Sequence, residues 1–301
     1  MLCVIGDLVE DVVVWLPTSL NYGTDTPSRI TRTRGGSAAN VAVFAAAIAK
    51  SETKLRSRLI AQIGDDNLGE QLVATLVKSG VDPCVIRAGR TGSIVVIVSP
   101  DGERTMLTDR AAATELSAPP ENWFENISTL HVPAYSLFSE PISMATRRCI
   151  SVAHEKNITV SIDASASSLI KKFGVEKFRK LLEELRPEIF FCNADEAEVL
   201  NLEALPLEIN IVVIKAGAAP TTLIYKGERS SVAVDHVGEI VDSTGAGDAF
   251  AAGFLNQFEQ TYICVSPSRK LDQSILHDCV VAGHQLAARV LSNAGATMDS
   301  A

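Results

Sequence analysis

The stretch of the sequence that offers the most chemistry is residues 242–248, Asp-Ser-Thr-Gly-Ala-Gly-Asp, where two carboxylates flank a turn of small residues. A helix is predicted to begin at Asp248, and the glycines allow the backbone before it to turn with its amides facing outward. Amides at a helix N-terminus, together with the helix dipole, attract anions. The pattern therefore predicts an anion site beside a carboxylate. The alternative is an ordinary helix start in which Asp248 only stabilises the first turn.

Two better-known phosphate-binding patterns do not occur in the sequence. There is no G-x-x-x-x-G-K-[ST] motif, and no G-x-G-x-x-G follows the first predicted strand. Those patterns hold phosphates in P-loop proteins and in dinucleotide-binding enzymes, so neither class fits the chain. A nucleotide-dependent oxidoreductase is disfavoured for the same reason.

The elements that must position this turn alternate between short apolar strands and amphipathic helices. Such alternation predicts βαβ units, with a mostly parallel central sheet covered by helices on both faces. The expected fold is therefore α/β, a three-layer αβα sandwich. The predicted strands are residues 2–5, 57–63, 129–132, 159–163, 189–192, 211–215 and 222–225. The predicted helices are residues 38–49, 67–79, 142–156, 176–184, 194–199, 248–259 and 274–291.

Two β-rich stretches, approximately residues 12–36 and 88–110, interrupt this alternation. The second contains Pro-Asp-Gly at 100–102 between two strand-like runs, which is typical of a hairpin turn. Few helices are available to cover these ribbons. We therefore predict a small β-sheet lid over a ligand crevice at the carboxyl ends of the main strands. The whole chain, residues 1–301, is expected to form one domain with this lid inserted in it.

Composition excludes several classes of protein. The chain is 47% hydrophobic and 21% charged, with a net charge of −9 and no basic run, which disfavours disorder and nucleic-acid binding. The longest apolar run, 41–49, is shorter than the roughly 20 residues that a membrane helix needs, so no membrane partner is expected. The N-terminus lacks a signal-peptide pattern, and six scattered cysteines are typical of a cytoplasmic protein. Five histidines without metal-type spacing argue against zinc.

Several short motifs together resemble those of the PfkB (ribokinase-like) carbohydrate and nucleoside kinases. The turn at 242–248 is similar to the second signature of that family, D-T-T-G-A-G-D, with Ser243 for the first threonine. The matches occur in order along nearly the whole chain. The others are Gly-Asp-Leu-Val-Glu-Asp at 6–11, Gly-Gly-Ser-Ala-Ala-Asn at 35–40, Ile-Gly-Asp-Asp-Asn-Leu-Gly at 63–69, Gly-Glu-Arg-Thr at 102–105, Asn-Ala-Asp-Glu at 193–196, Lys-Ala-Gly at 215–217 and Ser-Asn-Ala-Gly-Ala at 292–296.

The resemblance implies an ATP-dependent kinase in which Asp248 is the general base for the acceptor hydroxyl. The backbone amides of Gly245, Ala246, Gly247 and Asp248 would bind the phosphoryl group during transfer. Because Asp248 lies at a helix N-terminus, we expect its pKa to be lowered and the base to be weak. A weak base suffices when positioning dominates phosphoryl transfer.

The resemblance also implies sites for nucleotide and metal. Glu196, with Asn193, would hold Mg²⁺ mainly through waters, and the alternative is a helix-capping box formed by the same two side chains. Asp242 and Thr244 match positions that surround a monovalent cation in potassium-activated members, so K⁺ is a further expected ion. The expected nucleotide-binding residues are Asn193, Lys215, Gly217, His284, Ser292 and Gly295, with a structural role as the alternative for His284.

The residues that match the acceptor site of the family are Asp11, Gly35, Gly36 and Asn40. Glycines permit close approach of a sugar ring, and Asn40 would bind hydroxyls unless it only satisfies the start of its helix. Asp11 lies beside apolar residues and needs a polar partner, which a sugar diol would supply. Asp7 is the rival candidate for binding that diol. Arg110 would reach the acceptor or a phosphate, or else be a surface residue. Tyr135 is a candidate for the pocket wall.

The expected reaction is ATP-dependent phosphorylation of a hydroxyl on a small ribose-like or fructose-like sugar or a related polyol. Ser37 and Ala38 replace the lysine-containing part of the G-G-K-G-A-N motif typical of ribokinases, so ribose is not specifically indicated. A kinase of an adenosine-like nucleoside and a non-catalytic sugar or nucleotide sensor are the alternatives. An apolar lid face predicts a homodimer formed through the lid.

Overall fold

Two β-sheets form the framework of the protein. The computed structural model describes residues 1–49, 56–234, 238, 240–263, 271–293 and 296. Within this part of the chain the strands are β1 (Leu2–Ile5), β2 (Val9–Trp15), β3 (Arg29–Gly35), β4 (Ser57–Ile63), β5 (Val81–Arg87), β6 (Thr91–Val98), β7 (Arg104–Ala111), β8 (Thr129–Pro133), β9 (Thr159–Asp163), β10 (Ile189–Asn193), β11 (Ile211–Ala216), β12 (Ala219–Tyr225) and β13 (Glu228–Val232).

The large sheet has nine strands in the order β13-β12-β11-β10-β9-β8-β1-β4-β5. Neighbours from β11 to β5 are parallel, whereas β12 and β13 pair antiparallel at one edge. Its central strands β1 and β8 are buried along their whole length, as expected of parallel strands covered on both faces.

Helices cover both faces of the large sheet. They are α1 (Ser37–Ile48), α2 (Asn67–Lys78), α3 (Ile142–Glu155), α4 (Ser167–Phe173), α5 (Val175–Leu185), α6 (Ala194–Val199), α7 (Ala246–Phe258) and α8 (Gln273–Leu291). One apolar core contains residues of α1, α2, α7 and α8, and a second contains residues of α3 to α6. The predicted three-layer αβα fold with a mostly parallel sheet is therefore confirmed.

The smaller sheet has four strands in the order β3-β2-β6-β7. Its strands fall in the two stretches predicted to form the lid, with β2 beginning three residues before the expected boundary. The strand β2 is parallel to β6, and both outer pairs are antiparallel. One face carries a small apolar cluster that includes Val9, Ile94 and Val96. A separate small sheet, as predicted, accompanies the large one.

Among the strands and α-helices of the described residues, three lie outside the predicted ones: β5, β13 and α4. The sequence of β5 contains Asp82 and Pro83, residues that interrupt a strand pattern. Since β5 is an edge strand of the large sheet, a proline is tolerated there. Helix α4 spans only seven residues, too few for a clear helical period.

The parallel strands bring three polar residues to the same edge of the large sheet. In the strand register Asn193 of β10 pairs with Lys215 of β11, and Phe191 of β10 pairs with Asp163 of β9. All three polar residues stand at or near the carboxyl ends of their strands. Among the described residues, none of the helices combines the length and apolar character that a membrane crossing requires.

Candidate active site

A cavity of about 960 Å³ lies between the carboxyl edge of the large sheet and the smaller sheet. Strands β6 and β7 of the smaller sheet contribute Ile94, Val96 and Met106 to its wall. Most of the site residues predicted from the sequence line it. They are Asp11, Gly36, Asn40, Arg110, Asn193, Glu196, Lys215, Gly217, Thr244, Gly245, Ala246, Gly247, Asp248 and His284.

Asp248 lies in the first turn of α7, and both of its carboxylate oxygens accept hydrogen bonds from the start of α1. Ser37 Oγ donates to Oδ1 at 2.7 Å, and Asn40 Nδ2 donates to Oδ2 at 2.8 Å. Arg34 Nη1 in turn donates to Asn40 Oδ1 at 2.7 Å, which fixes the orientation of the amide. The carboxylate is therefore held by groups more than 200 residues away in the sequence.

The expectation of a lowered pKa for Asp248 is wrong. Burial raises the pKa of this carboxyl to about 7, although the hydrogen bonds from Ser37 and Asn40 oppose the shift. The helix N-terminus could be predicted from the sequence, but the burial of Asp248 by other parts of the chain could not. A carboxyl with this pKa is a stronger base than an ordinary aspartate and is still largely ionised above pH 7.

Residues 245–248, which we call the anion turn, present free backbone donors to the cavity. Gly245 has φ +78, and a Cβ there would lie 2.7 Å from the Cβ of Ala296, so this position requires glycine. Within the described residues, the amides of Gly247 and Asp248 have no hydrogen-bond acceptor. The amide of Ala246 donates to the Ser243 carbonyl at 3.3 Å, so it is already engaged in the turn.

Lys215 faces the anion turn from the end of β11. Its Nζ donates to Asp163 Oδ2 at 2.6 Å, and a Cβ built on Gly247 would lie 3.5 Å from the same Nζ. Burial is the largest single influence and acts to lower the pKa of Lys215, but the charge and hydrogen bond of Asp163, together with the charge of Glu196, outweigh it and the net shift is upward. The ammonium is thus kept charged beside the free amides. Asp163, which lines the cavity, was missed in the sequence analysis although it ends a predicted strand.

Asn193 and Glu196 form the capping box that the sequence analysis kept as an alternative. Asn193 Oδ1 accepts from the Glu196 amide, and Glu196 Oε2 accepts from the Asn193 amide, both at 2.8 Å. Glu196 is only 2% exposed. Burial, and next the charge of Asp163, raise the pKa of Glu196 to about 7. Both side chains also line the cavity, so capping and a role at the site are compatible.

The carboxylates of Glu196 and Asp163 repel each other. A divalent cation bound beside them would relieve that repulsion, so the pair suits such an ion. In the described part of the chain, no cluster of three or more His, Cys, Asp or Glu side chains could ligate a metal directly. An ion held largely through waters, as Mg²⁺ often is, fits this donor set.

The other end of the cavity, which we call the acceptor end, is formed around Asp7 and Asp11. Asp7 Oδ2 accepts from Arg110 Nη1 at 2.5 Å, and the Arg110 guanidinium lies 4.4 Å from the centre of the Tyr135 ring. Burial, and next the charge of Asp7, raise the pKa of Asp11 to about 6. Arg110 therefore lines the cavity and is paired with Asp7.

Three of the predicted site residues that the structure describes do not line the cavity: Gly35, Ser292 and Asp242. A Cβ on Gly35 would lie 2.1 Å from Asp11 Oδ1, so the close approach there is to Asp11. Ser292 is exposed at the end of α8 and donates to the Arg289 carbonyl. Asp242 is buried and precedes Ser243 and Thr244, which do line the cavity. Gly295 lies outside the described residues.

Asp242 is engaged by groups of the protein itself. Its Oδ1 accepts from Arg104 Nη2 at 2.5 Å and from the Thr244 amide at 2.7 Å. A monovalent cation beside that oxygen would meet the guanidinium charge. The arrangement of Asp242 and Thr244 therefore does not fit the expected K⁺ site.

His284 lines the far end of the cavity, where its Nε2 is 2.8 Å from Thr221 Oγ1 and its ring packs on Phe250 at 5.4 Å. The histidine thus has structural partners and also borders the site. Ser37, Ser165 and Thr221 line the cavity as well but were not predicted as site residues. Their hydroxyls carry no sequence signal beyond the motifs around them.

The whole chain, residues 1–301, matches the model of the pfkB family carbohydrate kinases. A fructokinase from Klebsiella pneumoniae is 29% identical over 271 residues, which are 84% of this chain and 82% of that protein. An adenosine kinase structure from Sinorhizobium meliloti aligns with TM-score 0.83 at 22% identity, over 99% of this chain and 96% of the other. An uncharacterized sugar kinase from Pyrococcus horikoshii, in complex with ATP, aligns with TM-score 0.80 at 22% identity, over 98% and 94%. At these identities the two structures establish the fold.

Proposed function

Since the chain belongs to the pfkB family of carbohydrate kinases, we propose that it transfers the terminal phosphoryl group of ATP to a hydroxyl of a fructose-like sugar, with Asp248 as the general base. The protein is an ATP-dependent kinase of a sugar or nucleoside. The observation that carries the finer proposal is the juxtaposition of Asp248 with the free amides of Gly247 and Asp248 in one cavity.

In the proposed reaction the acceptor hydroxyl takes the place of the Ser37 hydroxyl at Asp248 Oδ1. Asp248 accepts the proton while the acceptor oxygen attacks the terminal phosphorus and ADP leaves. Asn40 continues to hold Oδ2, so the carboxylate keeps its direction. The free amides and the Lys215 ammonium stabilise the charge on the phosphoryl oxygens.

We propose that Mg²⁺ is held by Glu196 and the Asn193 side chain through waters. When bound, the ion would neutralise phosphate charge during transfer. Asp163 orients Lys215 through the 2.6 Å hydrogen bond. Its charge also acts on Glu196, so it would add to the negative charge that attracts the ion. We propose no role for K⁺, because Asp242 Oδ1 already forms an ion pair with Arg104.

A sugar suits the acceptor end better than a nucleoside does. Asp11, Asn40 and Arg110 offer acceptors and donors to hydroxyl groups, and the relative from Klebsiella pneumoniae is a fructokinase. The guanidinium of Arg110 lies over the Tyr135 ring, so that face of the ring is not free to stack on a nucleobase. Adenosine is therefore the second candidate, on the strength of the structural relative.

We further propose that the chain is a single domain whose smaller sheet closes over the acceptor and mediates a homodimer, in the cytoplasm. The outer face of that sheet carries apolar side chains that are half-buried or exposed, alongside polar ones such as Arg32 and Thr105. The apolar residues are Val12, Val14, Ile30, Val95, Ile97 and Leu107. Such a patch favours association with a second copy. A monodisperse monomer in light scattering at working concentration would contradict the dimer.

The test of function is coupled ADP release with fructose, ribose, other hexoses and adenosine, each with ATP and Mg²⁺. We expect the highest kcat/KM with fructose or a close analogue. Adenosine turnover exceeding that of every sugar would replace the sugar assignment, and no ADP release with any acceptor would support the sensor alternative.

A further inference from the structure

Ser37 and Asp248 have the geometry of a nucleophile and its base. Ser37 Oγ donates to Asp248 Oδ1 at 2.7 Å, and Asp248 is oriented by a third group, Asn40, at 2.8 Å. This is the arrangement by which serine nucleophiles are activated in enzymes that form covalent intermediates. The hydroxyl is neither buried in the core nor turned outward, because Ser37 lines the cavity.

The backbone before Ser37 holds the hydroxyl in this position. Gly36 has φ +101, and a Cβ there would lie 2.5 Å from the Asp7 carbonyl oxygen, so the turn into α1 is fixed. The Ala38 amide is anchored to Asp7 Oδ1 at 3.2 Å. Ser37, the first residue of α1, is thus constrained on both sides.

Asp248 also connects Ser37 to the anion turn. Its carboxylate accepts from Ser37, while its own amide is one of the donors of that turn with no acceptor among the described residues. A phosphoryl group bound at the anion turn would lie beside the same residue that activates the serine. In the absence of a sugar, Ser37 provides the hydroxyl nearest to the base.

We propose that Ser37 is a self-phosphorylation site: without an acceptor, the enzyme transfers the terminal phosphoryl group of its bound ATP to Ser37 Oγ. This rests on the proposed role of Asp248. The Oγ–P bond forms as the bond from the terminal phosphorus to the β–γ bridging oxygen breaks, the serine proton passes to Asp248, and ADP leaves. The products are phosphoserine and ADP, with no other co-reactant.

The modification would switch the site off. A phosphoserine carries about −1.5 to −2 charges at pH 7, and at this position it would repel the ionised Asp248 and fill the place of the acceptor hydroxyl. A bound sugar protects Ser37 by displacing its hydroxyl from Asp248. The enzyme is therefore active while sugar is plentiful and inactivates itself slowly when only ATP is present.

The experiment incubates the full chain with ATP and Mg²⁺, without sugar, and maps phosphorylation by tandem mass spectrometry over time. We expect one phosphoryl group on Ser37, and at least tenfold less labelling when a saturating sugar substrate is present. Ser37→Ala and Asp248→Asn should abolish the label, whereas Ser37→Thr, which retains a hydroxyl, should keep it. Ser151→Ala is the matched control, because Ser151 is an exposed serine of α3 that does not line the cavity, and the labelling of this variant should equal that of wild type.

Thermal unfolding of every variant verifies that it is folded before labelling is compared. Wild-type protein that phosphorylates a sugar but acquires no phosphate on Ser37 would overturn the inference and leave the proposed function intact. Persistent labelling of Ser37 in Asp248→Asn would also overturn it, because the base would not be needed. Labelling of Ser37 in a protein that turns over no sugar would support the inference and contradict the sugar kinase assignment.

Discussion

Arg104 of β7 donates from Nη2 to Asp242 Oδ1 at 2.5 Å, and so ties the smaller sheet to the loop that leads into the anion turn. The Asp242 side chain is 2% exposed and that of Arg104 20%, so water screens the pair little. The contact joins the proposed lid to the phosphate-binding end of the cavity. Closure of the smaller sheet over the cavity would therefore help to hold the loop at 242–244 in place.

Removing the Arg104–Asp242 ion pair should lower the stability of the protein and weaken ATP binding. Arg104→Met leaves a buried carboxylate with fewer donors, and we expect the free energy of unfolding to fall by up to about 3 kcal/mol and KM for ATP to rise. A double-mutant cycle with Asp242→Asn should give a coupling energy of roughly 0.5–3 kcal/mol. Arg90→Met, which breaks the exposed Arg90–Asp109 pair on the same sheet, is the control and should change neither quantity. Additive effects of Arg104→Met and Asp242→Asn would show that the two side chains act independently.

Asp248→Asn should stop catalysis and leave ATP affinity within a few-fold of wild type. Loss of the base lowers kcat by about 10²–10⁴-fold. Because burial raises the folded-state pKa to about 7, the ionised carboxylate destabilises the fold at higher pH. The melting temperature of the variant should therefore exceed that of wild type at pH 8, with a smaller difference at pH 5. Near-normal turnover by the variant would refute the base assignment.

The pH dependence of the reaction should follow the ionisation of Asp248. Only the ionised form accepts a proton, so kcat/KM should rise with pH through about 7 and then level off. Ionisation of Glu196 should also make kcat/KM rise with pH, because its pKa is about 7 and its ionised form favours a cation. Glu196→Gln separates the two contributions, because kcat/KM of this variant should still rise with pH as Asp248 ionises. A rate that is flat from pH 5.5 to 8.5 would exclude both assignments.

Lys215→Met tests the charge beside the anion turn. Loss of the ammonium should lower kcat by about 10²–10³-fold, the cost of losing one preorganised donor to a developing anion. Asp163→Asn should have a smaller effect, because the ammonium remains but its 2.6 Å anchor is weakened. Lys226→Met, on a lysine that packs over Tyr225 away from the cavity, serves as the control. Equal kcat for Lys215→Met and Lys226→Met would remove Lys215 from the mechanism.

Two glycines of the anion turn should respond differently to alanine. Gly245→Ala forces φ +78 on an alanine and a 2.7 Å contact with Ala296, which should cost about 2 kcal/mol or more of stability. Gly247→Ala adds a methyl group 3.5 Å from Lys215 Nζ, an ordinary contact, and helix propensity favours it by up to about 1 kcal/mol. Thermal unfolding should thus separate the variants, while KM for ATP rises in both. Equal melting temperatures would contradict the conformational argument for Gly245.

Much of the fold follows from the sequence because it depends on local pattern. Apolar runs such as 189–192 and 211–214 predict buried parallel strands, and the turn at 242–248 predicts amides at a helix start. The carboxyl ends of such strands meet at one edge, so a site there was expected. Strand β5 was not predicted because it contains Pro83, and proline disfavours a strand. The proline is tolerated because β5 lies at the edge of the large sheet.

The tertiary structure alone decided how the site residues are paired and charged. Ser37 and Asn40 reach Asp248 across 211 and 208 residues, and burial by these distant segments raises a pKa that the helix terminus alone would lower. The Arg104–Asp242 pair, which replaces the expected cation contact, likewise needs the smaller sheet to lie over the large one. Local spacing identifies the groups that can do chemistry. Desolvation and long-range pairing, which decide what those groups do, depend on residues that the sequence leaves far apart.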